Sequence, residues 1–228
     1  MAKKKTSNNE PLELARITAK TQAQKDTVYA HDCGYNLLLQ GSAGTGKTFL
    51  ALFLALREVL ENEYTRIVLI RSSVSTRDIG HLPGLLEDKL AVYEYPYQHI
   101  ISELLPNKFE PYQYLKDMGM IEFHSTSYIR GRTFDDSVIV VDEAQNCSFH
   151  ELDSIITRVG NNSKIMFAGD TSQTDLLKSS KDTCGLAKFS RIIEDMDEFA
   201  IVNFTRNDIV RSGLVKSYII SKEDILNE

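Results

Sequence analysis

Gly41-Ser42-Ala43-Gly44-Thr45-Gly46-Lys47-Thr48 fits the pattern G-x-x-x-x-G-K-[ST] at every specified position. Glycines at these places let the backbone wrap closely enough for its N–H groups to face phosphate oxygens. Lys47 is spaced to reach the β- and γ-phosphates of a bound ATP, and the Thr48 hydroxyl to ligate Mg²⁺. A second cluster, Asp142-Glu143-Ala144-Gln145, follows the apolar run Val138-Ile139-Val140-Val141. Asp142 there is expected to hold Mg²⁺ through its water shell, and Glu143 to polarise the attacking water as general base. Gln145 is placed to sense the γ-phosphate. A third cluster, Gly169-Asp170-Thr171-Ser172-Gln173, follows Ile165-Met166-Phe167-Ala168. Asp170 and Gln173 beside a γ-phosphate can read its presence and pass that state onward.

Each cluster needs a strand end to position it. Asn36–Gln40 is a short apolar run stopping at Gly41, as a buried parallel strand does. Ile67–Arg71, Ile121–His124, Val138–Val141, Lys164–Ala168 and Ala200–Phe204 also read as strands. Thr48–Glu61 reads as a helix, with Phe49, Leu52, Phe53, Leu56, Val59 and Leu60 at helical spacing. One or two short helical pieces are expected between Pro11 and Cys33. A helix over 87–105 is expected to kink or break at Pro96. Phe149–Val159 is an amphipathic helix closed by Gly160, and a last helix starts at Leu214. Strands alternating with helices imply a single α/β domain, residues 11–228, whose mostly parallel central sheet is flanked by helices. Ligands then bind at the carboxyl ends of the strands, so one pocket can hold all three clusters.

The chain has 228 residues, 42% of them hydrophobic and 25% charged, which suits one globular domain. Its formal net charge is −6, so the whole-molecule field does not attract a polyanion, although a local basic groove is compatible with it. No apolar run is long enough for a membrane span, and no signal-peptide core follows Met1-Ala2-Lys3-Lys4-Lys5. Residues 1–10 read as a polar, disordered leader. Cys33, Cys147 and Cys184 match no zinc or redox spacing and suit reduced thiols in a cytoplasmic protein. His31, His81, His99, His124 and His150 form no metal-ligand spacing either. The tyrosines from Tyr93 to Tyr97 could stack on bases, but packing or an oligomer contact is the expectation preferred.

The P-loop, D-E-A-Q and G-D-x-x-Q, taken in that order, resemble the first core domain of superfamily-one helicases. The residues between them make the chain similar to the PhoH-like ATPases, a phosphate-starvation-inducible group also common in phages. The resemblance is carried by Leu82-Pro83-Gly84, Tyr128-Ile129-Arg130-Gly131-Arg132-Thr133, Asp142–Asn146, Thr157-Arg158-Val159-Gly160, Asp175-Leu176 and Asp208-Ile209-Val210-Arg211, over roughly residues 18–220. It implies a RecA-like core, ATP hydrolysis with Mg²⁺, and a link to RNA or helicase work in the cytoplasm (the host's, for a phage protein). It also implies ring-like homo-oligomers, with a hexamer as the expected form, and an adenine-reading glutamine, which matches Gln24. The family pattern departs after Arg71, where Ser72 stands in place of proline and Arg77 in place of a glycine.

A single core lacks the arginine that two-core helicases supply from their second domain, a residue worth about 10³–10⁵ in rate. A neighbouring subunit is the expected source. Arg130, Arg132, Arg158, Arg206 and Arg211 are candidates, with Arg132 and Arg211 preferred. The leading expectation is therefore an ATPase that moves or remodels single-stranded nucleic acid, RNA favoured. Two alternatives stand beside it: a nucleotide-gated assembly module without motor activity, and a nucleoside kinase, whose zinc lobe this sequence lacks.

Overall fold

The computed structural model describes residues 11–72, 86–170 and 185–226, with backbone alone for 86–91 and 226. The leader, the Leu82-Pro83-Gly84 loop, Arg77, Gln173, Asp175-Leu176, His81 and Cys184 lie outside the described residues. Six strands form one sheet: β1 (Asn36–Gly41), β2 (Arg66–Arg71), β3 (Ile121–Ser125), β4 (Ser137–Asp142), β5 (Lys164–Gly169) and β6 (Phe199–Phe204). Their order is β3-β2-β4-β5-β1-β6, and every pairing between them is parallel. The helices are α1 (Gln22–Asp32), α2 (Lys47–Leu60), α3 (Leu86–Leu104), α4 (Pro111–Asp117), α5 (Phe149–Ile156), α6 (Gly185–Ile193) and α7 (Gly213–Leu226). The single α/β domain expected from the sequence is the one found.

Alternation along the strands splits the interior in two. Leu37, Leu39, Ile67, Leu69, Val138, Val140 and Met166 face α1–α4, while Leu38, Val68, Ile70, Ile139, Val141, Ile165 and Phe167 face α5 and α6. With helices on both faces, the strands carry continuous apolar runs. The α2 helix lies between α1, α3 and the sheet, so it buries more than the stripe read from its spacing: Leu50, Ala51, Leu54 and Ala55 join Leu52, Leu56 and Val59.

Four local expectations need correction. Of the one or two short helical pieces expected between Pro11 and Cys33 one forms, α1, and residues 11–20 before it are extended: exposure alternates along them, Leu12, Leu14 and Ile17 pack on the core, and Ala15 N–H donates to Leu104 O (2.8 Å). The helix α3 does not break at Pro96 but runs through it. The turn that loses a hydrogen bond there lies on the exposed side with Val92 and Tyr95, while Tyr97, Ile101 and Leu104 are buried on the other. The helix α5 stops at Ile156, short of Val159. Val159 bridges to Phe134, whose N–H donates to Arg158 O (2.9 Å), so this stretch pairs instead of coiling. Gly160 has no room for a side chain, because a Cβ would stand 2.2 Å from Asp135 Oδ1. Finally, α4 and α6 are present where the sequence pattern gave no element.

Candidate nucleotide site

The carboxyl ends of β1, β4 and β5 bring Gly41–Thr48, Asp142–Gln145 and Gly169-Asp170, the described start of the third cluster, to one edge of the sheet. Register sets this edge: Gly41 pairs with Phe204 and Asp142 with Arg71. Gly41 has φ +123°, and a Cβ there would lie 1.9 Å from Phe204 O, so only glycine lets β1 turn into the loop at this point. The loop closes at Gly46, φ +87°, which caps the N-terminus of α2. Ser42, Thr45 and Lys47 are buried, and the Thr45 hydroxyl donates to Ser42 O (3.0 Å).

Lys47 Nζ donates to Gly41 O (2.8 Å) and Ser42 O (2.7 Å), both carbonyls of its own loop. Burial pushes its pKa down, opposed by the nearby Asp170, Glu143 and Asp142 carboxylates. Thr48 Oγ1 donates to Asp142 Oδ1 (2.6 Å). A hydroxyl and a carboxylate this close, at the mouth of a phosphate loop, form the hard-oxygen donor set that suits Mg²⁺.

Glu143 follows Asp142 with φ +53°, ψ +41°, a left-handed conformation that costs a non-glycine residue roughly 1–2 kcal/mol. The bend turns its side chain out of the strand line. Burial, then the Asp142 charge, raises the Glu143 pKa, while Arg71, Gln145 and Lys47 hold it back. A carboxylate raised in this way is a stronger proton acceptor, as a general base requires. Gln145 Nε2 donates to Glu143 Oε2 (2.5 Å), and its Oε1 accepts the Asp170 N–H (2.9 Å). Gln145 thus ties the second cluster to the third. Gly169 leaves room for it: a Cβ there would come within 3.3 Å of the Gln145 backbone and amide oxygen, and 2.8 Å from Leu186.

Two residues at this edge carried no motif. The Tyr97 hydroxyl donates to Asp142 Oδ2 (2.8 Å) from a ring that is 1% exposed. Arg71 hydrogen-bonds Tyr97 and faces both Asp142 and Glu143. Burial and the Asp142 charge raise the Tyr97 pKa well above the usual phenol value, so it stays a neutral donor. Of the aromatic run, Tyr97 therefore packs inward as preferred, while Tyr95 is 71% exposed.

Gln24 is held by the Thr21 cap of α1. Its Oε1 accepts from Lys20 N–H (2.8 Å) and its Nε2 donates to Thr45 O (3.0 Å), so here it braces the loop. Asp208 hydrogen-bonds Thr205, Thr21 and the Ala23 backbone, and these bonds lower its pKa against the opposing effect of burial. Val210 N–H donates to Gly44 O (3.1 Å). The Asp208–Arg211 segment therefore knits α1 to the phosphate loop.

The arginines separate. Arg211 lies against its own loop, since a Cβ on Gly44 would stand 2.9 Å from Arg211 Cγ. Arg206 pairs with Asp224 (2.7 Å) and Glu223 (3.7 Å) of α7, a structural use. Arg130 meets His150 (3.2 Å). Arg132 lies beside Glu122 (3.9 Å) on the edge strand β3, four strands from β1 or about 19 Å at 4.8 Å per strand, and its side chain is 55% exposed. No described helix is long and apolar enough to cross a membrane, and Cys33 and Cys147 are free thiols.

A family profile described as "PhoH-like protein" matches residues 16–222. The chain is 36% identical over 204 residues to a PhoH-like protein of Mycobacterium tuberculosis, covering 89% of this chain and 57% of that one. It is 35% identical to one of Synechocystis (91% and 62%) and 31% identical to Protein PhoH of Escherichia coli K12 (87% and 56%). It therefore spans little more than half the length of these relatives. Among solved structures it is similar to a Sulfolobus solfataricus SWI2/SNF2 ATPase core domain (TM-score 0.47, 16% identity, 94% of this chain and 48% of that one). It is also similar to a Candida albicans Pif1 helicase (TM-score 0.39, 15% identity, 84% and 42%). The phosphate loop at the carboxyl edge of a parallel sheet and the match along nearly its whole length agree: this chain is a P-loop protein that belongs to the PhoH-like family.

Proposed function

We propose that the chain is a Mg²⁺-dependent ATPase that couples turnover to single-stranded nucleic acid, RNA favoured. The observation that carries this reading is the 2.6 Å bond between Thr48 and Asp142 beside the strained, half-buried Glu143. Loop amides and the α2 N-terminus cradle the phosphates. Lys47 exchanges loop carbonyls for phosphate oxygens. Thr48 and Asp142 hold Mg²⁺, which neutralises charge on the β- and γ-phosphates when bound. Glu143 accepts a proton from water as its oxygen bonds to the γ-phosphorus and the β–γ bridging bond breaks toward ADP. Gln145, with Asp170 and Gln173, reports the state of the γ-phosphate. Gln24 links an adenine contact to the loop it braces. Arg132, too far from its own loop, completes the site of the next subunit in a ring of identical chains, a hexamer. The test is steady-state phosphate release with RNA, single-stranded DNA, duplex or no polymer. Stimulation by single strands, most by RNA, supports the reading, and a rate indifferent to every polymer refutes the coupling.

One observation favours a second reading, a nucleotide-gated assembly module. A Cβ on Gly44 would stand 3.3 Å from Ile219 of α7, and the same helix exposes Leu214, Tyr218 and Ile225. Loop occupancy could thus reach an apolar surface. Under that reading Glu143→Gln retains function, and under the first it does not.

A further inference from the structure

The metal-holding carboxylate has a bond on each oxygen, and only one comes from the phosphate loop. Thr48 Oγ1 donates to Oδ1 at 2.6 Å, and Tyr97 Oη donates to Oδ2 at 2.8 Å. Tyr97 stands on α3, outside the three phosphate-site clusters. We propose that Tyr97, itself held by Arg71, is a positioning residue for the metal site: its hydroxyl fixes the plane of the Asp142 carboxylate. This inference rests on the metal–nucleotide reading of the site.

The geometry leaves Tyr97 little freedom. Its ring is 1% exposed and packs on Phe123, with centroids 6.0 Å apart. A phenol has one proton to donate, and here it goes to Asp142. Its oxygen faces Arg71, which sits directly opposite Asp142 in the β2–β4 pairing. The result is a relay from guanidinium to phenol to carboxylate. A phenylalanine would fill the same volume but leave Oδ2 without a donor. An ionised carboxylate has about four acceptor directions, so two donors leave two for water molecules of a metal's shell. Donors on opposite oxygens also stop rotation about the Cβ–Cγ bond, and an ion bound through water gains most from a fixed plane. Loss of such an outer partner costs about 10–100-fold in metal affinity or activity.

Mn²⁺ is the probe. Free Mn²⁺ is counted by electron paramagnetic resonance in titrations of the full chain with saturating ADP, for wild type, Tyr97→Phe and Tyr112→Phe. Tyr112 is the matched control: its hydroxyl donates to Glu94 Oε2 at 2.8 Å, also buried, between α3 and α4 and away from the loop. We expect Tyr97→Phe to weaken Mn²⁺ binding about tenfold or more. ADP affinity in EDTA should not change, and the Mg²⁺ concentration for half-maximal phosphate release should rise by the same factor. Tyr112→Phe should lower thermal stability and leave Mn²⁺ binding alone. Mn²⁺ affinity of Tyr97→Phe within twofold of wild type overturns the proposal, as does an equal loss in Tyr112→Phe. If Tyr97→Phe does not fold, Arg71→Lys, which keeps the positive charge and the phenol but loses the guanidinium that holds it, must weaken Mn²⁺ binding at least threefold or the proposal fails. Absence of Mn²⁺–ADP binding in wild type defeats the nucleotide reading itself, a distinguishable result.

Discussion

Alanine at Gly41 and alanine at Gly44 add the same methyl group to the same loop, yet the first should cost about twice as much as the second or more. At Gly41 the new Cβ would stand 1.9 Å from Phe204 O and 2.8 Å from its carbonyl carbon. Real contacts do not fall below 3.0 Å, so β6 must retreat by about 1.1 Å. That movement opens the bond from Ser42 N–H to Phe204 O, now 3.0 Å, and a φ of +123° adds strain that alanine cannot relieve in place. Together these effects come to about 3–4 kcal/mol. At Gly44 the obstacle is Arg211 Cγ at 2.9 Å, part of a flexible, exposed side chain that can swing aside. What remains is the left-handed backbone at φ +72°, about 1–2 kcal/mol. For a domain of this size each kcal/mol moves Tm by about 2–4 °C, so Gly41→Ala should lower it by about 6–16 °C and Gly44→Ala by about 2–8 °C. Thermal melts followed by circular dichroism at equal protein concentration measure both. Equal losses, or a larger loss at Gly44, would refute the assignment of the β1–β6 junction as the rigid wall of the loop.

Three further expectations concern other parts of the molecule. His31 is buried among Asp32, Arg57, Glu58 and Lys164, and burial, with Lys164 and Arg57, lowers its pKa to about 4. A depressed folded-state value means its contribution is complete above the unfolded value near 6.5 and is lost as pH falls toward 4. Urea unfolding across that window should show about 3 kcal/mol of pH-dependent stability that His31→Gln lacks. Asp208→Ala removes the acceptor joining α1 to the turn after β6, so Tm should fall by about 6–12 °C, whereas no change would deny it that role. Arg132→Ala should abolish turnover alone, and mixing it with Lys47→Ala subunits should restore part of it, because an intact loop then meets an intact arginine. Failure of the mixture to exceed the separate variants in phosphate release would exclude Arg132 as a shared residue.

The sequence made one part of the site legible because each cluster follows an apolar run directly, and a parallel sheet must align those ends. Gly41–Thr48, Asp142–Gln145 and Asp170 therefore meet where expected. Arg71 and Tyr97 were not legible as partners of Asp142. Their meeting depends on β2 pairing with β4 and on a helix that continues through Pro96, and neither follows from local pattern. Gln24 was singled out by resemblance, but its bond to Thr45 O depends on how α1 is capped and docked. Residues 11–20 carry no local pattern that marks them as extended; the placement of Leu12, Leu14 and Ile17 follows from packing on the core, with Ala15 bonded to the end of α3.

Glu143→Gln tests the central claim most directly, because it removes the proposed base while keeping the shape and the contact distance to Gln145. Bound radiolabelled ATP and released phosphate are measured on the same preparation with Mg²⁺. We expect phosphate release to fall by about 10²–10⁴ while ATP remains bound at wild-type stoichiometry. Hydrolysis at the wild-type rate would show that Glu143 does not prepare the water, and the site would have to work by other residues.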